Sequence, residues 1–176
     1  MKIEKEYKML INESQFNKLK EEFKSNIVLD QVNHYYDTTP SLYNKKMAVR
    51  IREVNNEYIF TLKRSTFEGQ LEYEFLIDNL DINDKKIKEL LSTFSIVETL
   101  KYLGSSRTIR HLYKDEYGEL CLDKNTYNNL IDYEVEYELF DPNNDKLEHF
   151  KNILKKCDIE YKENKNSKLK RFIDSL

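Results

Sequence analysis

The sequence predicts an α+β fold: a closed, eight-stranded antiparallel β-barrel with helices packed outside it. Three observations carry this. Charged and apolar residues alternate along several short segments, as they do along strands with two different faces. Tight turns separate many of those segments, so neighbouring strands run mostly antiparallel. Three further segments carry apolar residues at helical spacing and can cover the apolar sides of the strands.

The elements follow in order. Residues 2–10 alternate as a strand. Asn12 or Ser14 caps a helix reaching about Phe23, with Phe16, Leu19 and Phe23 on one face. Residues 27–36 are extended again, and Asp37-Thr38-Thr39-Pro40 makes a turn. Met47–Val54 and residues 57–63 are strands joined at Asn55-Asn56, a pair that tolerates the positive φ of a tight hairpin. Gly69 opens a strand over 70–77, and residues 83–94 form a helix with Ile87, Leu90, Leu91 and Phe94 on its apolar side. A strand is expected from Arg107. Tyr117-Gly118 turns into a strand over 119–123. Residues 133–140 form a strand, 143–157 a helix and 167–176 a short terminal helix.

The 176 residues suffice for one core, and 3 Gly and 2 Pro leave no flexible linker, so one domain over 1–176 is expected. Charged residues make up 35% of the chain, but aromatics reach 12%, which a disordered chain lacks. A net charge of -3 offers no field to attract nucleic acid or an anionic membrane, so neither is an expected partner. No apolar run approaches membrane-spanning length, and Met1 leads straight into a patterned strand, so no secretory leader is expected. Cys121 and Cys157 then read as reduced thiols of a cytoplasmic protein. His34, His111 and His149 show no metal-ligand spacing.

The charges are arranged by strand face. Glu4, Glu6 and Lys8 share one; Arg50 and Arg52, Thr61 and Lys63, Gln70, Glu72 and Glu74, and Glu134, Glu136 and Glu138 share others; Asp123 follows the alternation of Leu120 and Leu122. For any single strand the ordinary reading is a solvated outer face. The set differs in two ways. Its faces are segregated by sign, acidic on three strands and basic on two, and the helices can cover the apolar sides. The charged faces then line the barrel interior, where charge is costly unless paired, hydrated or bound to a ligand. Clustered carboxylates suit a hard divalent cation such as Mg²⁺ or Mn²⁺, and Arg and Lys opposite them suit phosphate oxygens.

These residues recur in a known order. Glu4-Lys5-Glu6-Tyr7-Lys8 is a Glu-x-Glu-x-Lys run. It is followed by Tyr35-Tyr36-Asp37-Thr38, Arg50-Ile51-Arg52, Thr61-Leu62-Lys63, Glu72-Tyr73-Glu74, an arginine within 107–110, Leu122-Asp123, Glu134-Val135-Glu136, and Ser167-Lys168 with Arg171-Phe172. As an ordered set spanning nearly the whole chain, it resembles the triphosphate tunnel metalloenzymes, the CYTH superfamily of class IV adenylyl cyclases and thiamine triphosphatases.

The resemblance implies an eight-stranded tunnel and assigns roles. Glu4, Glu6, Glu134 and Glu136 are metal-ligand candidates; Glu138 shares their face but lies farther along the strand. Glu74 and Glu72 hold metal-bound water or a second ion. Lys8, Arg50, Arg52, Lys63, Arg110 and Lys168 grip a triphosphate, and Asp123 orients a cation or a water. Arg107 is out of phase with Arg110, which is preferred. Catalysis is expected to rest on Glu4, Glu6, Lys8, Glu74 and Asp123, with Mg²⁺ or Mn²⁺ as cofactor. No dedicated general base is apparent, so a metal-activated water is the expected nucleophile.

Three functions fit this pattern. The first is metal-dependent hydrolysis of inorganic tripolyphosphate or a small organic triphosphate, such as thiamine triphosphate or a nucleotide. The second is cyclisation of ATP to cyclic AMP, although no feature supplies an adenine site. The third is non-catalytic binding of a polyphosphate or nucleotide, which would not need every carboxylate.

Overall fold

The computed structural model describes residues 2–25, 27–67 and 69–176. The hydrogen-bonded strand order is β1-β6-β5-β4-β3-β7-β8-β9-β2. The strands are β1 (Lys2–Glu4), β2 (Glu6–Ile11), β3 (Ile27–Asp37), β4 (Met47–Val54), β5 (Glu57–Thr66), β6 (Gly69–Ile77), β7 (Lys101–Lys114), β8 (Gly118–Tyr127) and β9 (Leu130–Leu139). The helices are α1 (Glu13–Glu22), α2 (Lys85–Thr93), α3 (Leu147–Lys155) and α4 (Lys168–Asp174). The ninth strand arises because the first expected strand is interrupted at Lys5, and its halves stand at opposite ends of the order.

The chain forms two compact units, sharing β3 and β7 between them. One comprises the residues up to Ile3 and Gln31–Ser105. Its antiparallel ladders β3-β4-β5-β6 put Val49, Ile51, Phe60 and Leu62 on one face. These residues join Ile87 and Leu91 of α2 in a shared core. Asp84 starts α2 by accepting a hydrogen bond from the Lys86 amide. The turn at Asn55-Asn56 takes positive φ at both residues, as expected.

The other unit comprises Glu4–Asp30 and Ser106–Leu176. Its ladders β7-β8-β9-β2 present Leu120, Leu122, Val135, Tyr137 and Met9 to a core completed by Phe16 and Leu19 of α1 and Phe150, Ile153 and Leu154 of α3. Asn12 and Gln15 form a reciprocal capping box at the start of α1. Ser167 caps α4, whose Leu169 and Phe172 are buried. A second Asn-Asn pair, Asn128-Asn129, also takes positive φ and turns β8 into β9. Both strands are longer than expected for that reason, and β7 begins at Lys101 rather than Arg107.

Candidate active site

In each unit the face opposite the apolar core is charged, and it is not a solvated surface. Asp123 and Glu134 are fully buried, as is Thr61, and Glu72 and Glu136 are nearly so. Burying such groups is tolerable only where partners satisfy them, so the partners define what the face can do.

In the second unit the ladder sets the rows. Arg110, Asp123 and Glu134 stand side by side across β7, β8 and β9. On β2, Lys8 lies opposite Glu136 and Glu6 opposite Glu138. The Arg110 guanidinium donates Nε and Nη2 to the two Asp123 oxygens at 2.7 and 2.6 Å, and Nη2 also donates to Glu136 at 2.5 Å. Lys168 opens α4 and places its ammonium 3.0 Å from Asp123 and 2.9 Å from Glu134, in contact with Glu136 as well. One turn on, Arg171 reaches Asp132 at 2.8 Å and Glu134 at 2.9 Å. Lys8 donates to Glu6 at 2.7 Å.

The electrostatics follow from these contacts. Burial alone would raise the Glu136 carboxyl, but Lys168 and Arg110 outweigh it and hold the group well below the usual carboxylate range. Asp123 is likewise held low by Arg110 and Lys168 against the opposing effect of burial. Burial works to discharge Lys168; Glu134, Glu136 and Asp123 prevail and keep it charged well above the ordinary lysine value. Buried Cys121 has its thiol pushed upward, chiefly by desolvation, so it is not a nucleophile at neutral pH.

The first unit carries a looser array. Arg50 Nη2 lies 3.7 Å from Glu72 and 3.9 Å from Glu74, and Lys63 lies 3.3 Å from Glu72. Thr61 links the set by donating to Glu74 at 3.0 Å and accepting from Arg50 Nε at 3.3 Å. Arg52 Nε donates to Asn33 at 2.9 Å, which fixes the plane of its guanidinium. A guanidinium is the side chain best suited to phosphate oxygens.

The structure thus gathers Lys8 with Glu6, then Arg110, Asp123, Glu134, Glu136 and Lys168 around one another, and separately Arg50, Lys63, Glu72 and Glu74. Glu4 ends β1, half-buried. Arg107 pairs with Asp30 at an exposed position, apart from the Arg110 network. Two polar residues of these networks, Asn33 and Asp132, are not named by sequence reasoning, and two that it names, Thr61 and Arg171, receive no role there. Asp132 lies on the same alternation as Glu134, Glu136 and Glu138, which is the signal for it. The signal for a role of Arg171 is its place three positions after Lys168 on a helix, which puts both side chains on one face.

Among the described residues no group of three or more His, Cys, Asp or Glu side chains converges as a metal-binding cluster. The chemistry of the donors nevertheless fits a hard divalent cation, since Glu4, Glu6, Glu136 and Glu138 offer carboxylate oxygens on β1, β2 and β9. The β2–β9 register sets Glu138 directly opposite Glu6.

A family model described as "CYTH domain" matches residues 2–173. The chain belongs to the CYTH family. A Bacillus subtilis (strain 168) protein named "Putative triphosphatase YjbK" is 30% identical over 182 residues, covering 98% of this chain and 95% of that protein. A solved structure from Bacillus halodurans, described as "a putative adenylate cyclase", is 29% identical, covers 97% of each chain and gives a TM-score of 0.83. A structure from Hippeastrum shares the fold at 23% identity and a TM-score of 0.81, covering 98% of this chain and 96% of its own. The fold class is therefore the family's antiparallel β-barrel with helices outside, with nine strands among the described residues where eight were expected. Among the described residues no helix is long and apolar enough to cross a membrane.

Proposed function

We propose that this chain is a cytoplasmic, Mg²⁺- or Mn²⁺-dependent triphosphatase acting on a small-molecule triphosphate, inorganic tripolyphosphate or a compact organic one. The observation that carries the reading is the buried charged face of β7, β8, β9 and α4, where Arg110 and Lys168 are held permanently charged among Asp123, Glu134 and Glu136. A fold gains little by burying so many ions for stability alone. Such an array suits a ligand of high charge that can exchange partners with it. The relative that is 30% identical bears a triphosphatase name, which supports the same reading.

The roles divide by chemistry. Arg50, Arg52, Lys63, Lys8, Arg110 and Lys168 bind the phosphate oxygens, the arginines bidentately and the lysines as point charges. Asp123 orients Arg110, and Glu72 and Glu74 hold Arg50 and Lys63 in place. Glu4, Glu6, Glu136 and Glu138 are the carboxylates that would hold the divalent ion. When bound, that ion would neutralise phosphate charge and polarise the anhydride. The charged side chains act by fixing the triphosphate in line for attack and by stabilising charge on the departing phosphate.

Adenylate cyclisation is the second reading, favoured by the description of the Bacillus halodurans structure. Incubation with Mg²⁺ or Mn²⁺ and, in turn, tripolyphosphate, thiamine triphosphate and ATP separates the outcomes. Release of phosphate supports hydrolysis. Pyrophosphate formed together with cyclic AMP replaces it with cyclisation. Tight binding with no turnover of any substrate refutes both.

A further inference from the structure

Glu134 differs from its neighbours on β9 in what surrounds it. Across the β2 ladder it faces Leu10, whereas Glu136 faces Lys8 and Glu138 faces Glu6. It is fully buried. Among the described residues the donors to its carboxylate come from one stretch of chain, residues 164–171. Asn164 Nδ2 and Arg171 Nη1 each lie 3.3 Å from Oε1, and Lys168 Nζ and Arg171 Nη2 each lie 2.9 Å from Oε2. A carboxylate offers about four lone-pair sites, and four donor atoms occupy them.

The same stretch is tied down around that point. The Asn164 amide donates to the Lys8 carbonyl at 3.0 Å, and Arg171 Nε donates to Asp132 at 2.8 Å. Helix α4 runs only from Lys168 to Asp174, too short to hold its shape without docking. Buried Leu169 and Phe172 supply the apolar part of that docking, and Glu134 sits at the centre of the polar part.

We propose that Glu134 is a positioning residue that docks the C-terminal segment, seating Lys168 against Asp123 and Glu136, and is not a ligand of the divalent cation. The part concerning the cation rests on the triphosphatase reading. The part concerning docking does not.

The test has two arms on the full chain. In the first, hydrogen exchange over residues 162–176 is followed without metal. Glu134→Gln keeps the shape but cannot balance two cations, so exchange there should speed up about tenfold or more relative to the rest of the chain. Arg171→Gln, which leaves the carboxylate in place, should produce the same local release and serves if the first variant folds poorly. Unchanged exchange in both variants overturns the proposal.

In the second arm, Mn²⁺ binding is measured by electron paramagnetic resonance. Glu134→Gln should bind Mn²⁺ within about threefold of wild type, a change smaller than that for losing even an outer-sphere partner of a metal ligand. Its KM for tripolyphosphate should rise about tenfold as Lys168 is unseated, with the Mn²⁺ requirement unchanged. A loss of Mn²⁺ affinity equal to that of Glu6→Gln overturns the proposal. A wild-type chain that neither binds Mn²⁺ nor turns over a triphosphate defeats the triphosphatase reading and with it the cation half, while the exchange arm still decides the docking half.

Discussion

Replacing Arg110 by Met is the most informative single change to the charged face. The side chain is 12% exposed, and it neutralises Asp123 at 0% and Glu136 at 10%. Removing one partner of a buried ion pair leaves a buried charge uncompensated and costs about 3–5 kcal/mol. Here Lys168 stays close to both acids, which places the expectation near about 3 kcal/mol, at the low end of that range. For a chain of 176 residues each kcal/mol lowers the melting temperature by about 3 °C, so Arg110→Met should melt roughly 10 °C below wild type. Adding Asp123→Asn removes the orphaned charge. The double variant should then recover at least about 1 kcal/mol relative to the sum of the two single changes. Thermal melts of the four proteins at neutral pH and fixed salt give this cycle directly. A single variant melting with wild type, or strictly additive losses, would refute the view that these ions are buried and mutually dependent.

Four further outcomes are expected. Glu136 and Asp123 titrate below their ordinary range in the folded chain, so near pH 4 the unfolded chain binds more protons; their stabilisation is present above that pH and is lost as pH falls through the folded values. Arg110→Met should therefore shift the acid limb of a melting-temperature profile to higher pH, and superimposable limbs would contradict the assignment. Glu6→Gln should abolish metal-dependent turnover while the circular dichroism spectrum stays native; full activity in that variant would remove the first strand from the site. Gly118→Ala should cost about 1–3 kcal/mol in chemical denaturation, because a Cβ there meets the Glu138 carbonyl oxygen and the Tyr137 ring. Asn12→Ala should cost about 1 kcal/mol by removing the side-chain acceptor of the α1 capping box, and a neutral result would show that the bond from the residue-12 amide to the Gln15 side chain suffices.

Much of the site could be read from strand alternation. Glu6 and Lys8, Arg50 and Arg52, and Glu134 and Glu136 share faces because side chains in a strand repeat every two residues, a property of the local backbone. The turn at Asn55-Asn56 was legible for a similar reason. Its counterpart at Asn128-Asn129 carries the same signal and extends β8 and β9 beyond the segments that alternation alone marks. The break at Lys5 has no mark in the alternation, since Glu4 and Glu6 keep phase across it.

The sequence by itself determined which residues face together and what chemistry they offer, since both depend on neighbours within a few positions. Tertiary structure decided which charge meets which. Glu6 stands opposite Glu138 because of the β2–β9 register, and Arg110 meets Asp123 because of the β7–β8 register. Glu134 receives Lys168 and Arg171 because α4 docks on β9. Register and docking are fixed by burial of whole faces over long sequence separations, so no local pattern around Glu134 distinguishes it from Glu136. Only the packed chain gives the two carboxylates different partners.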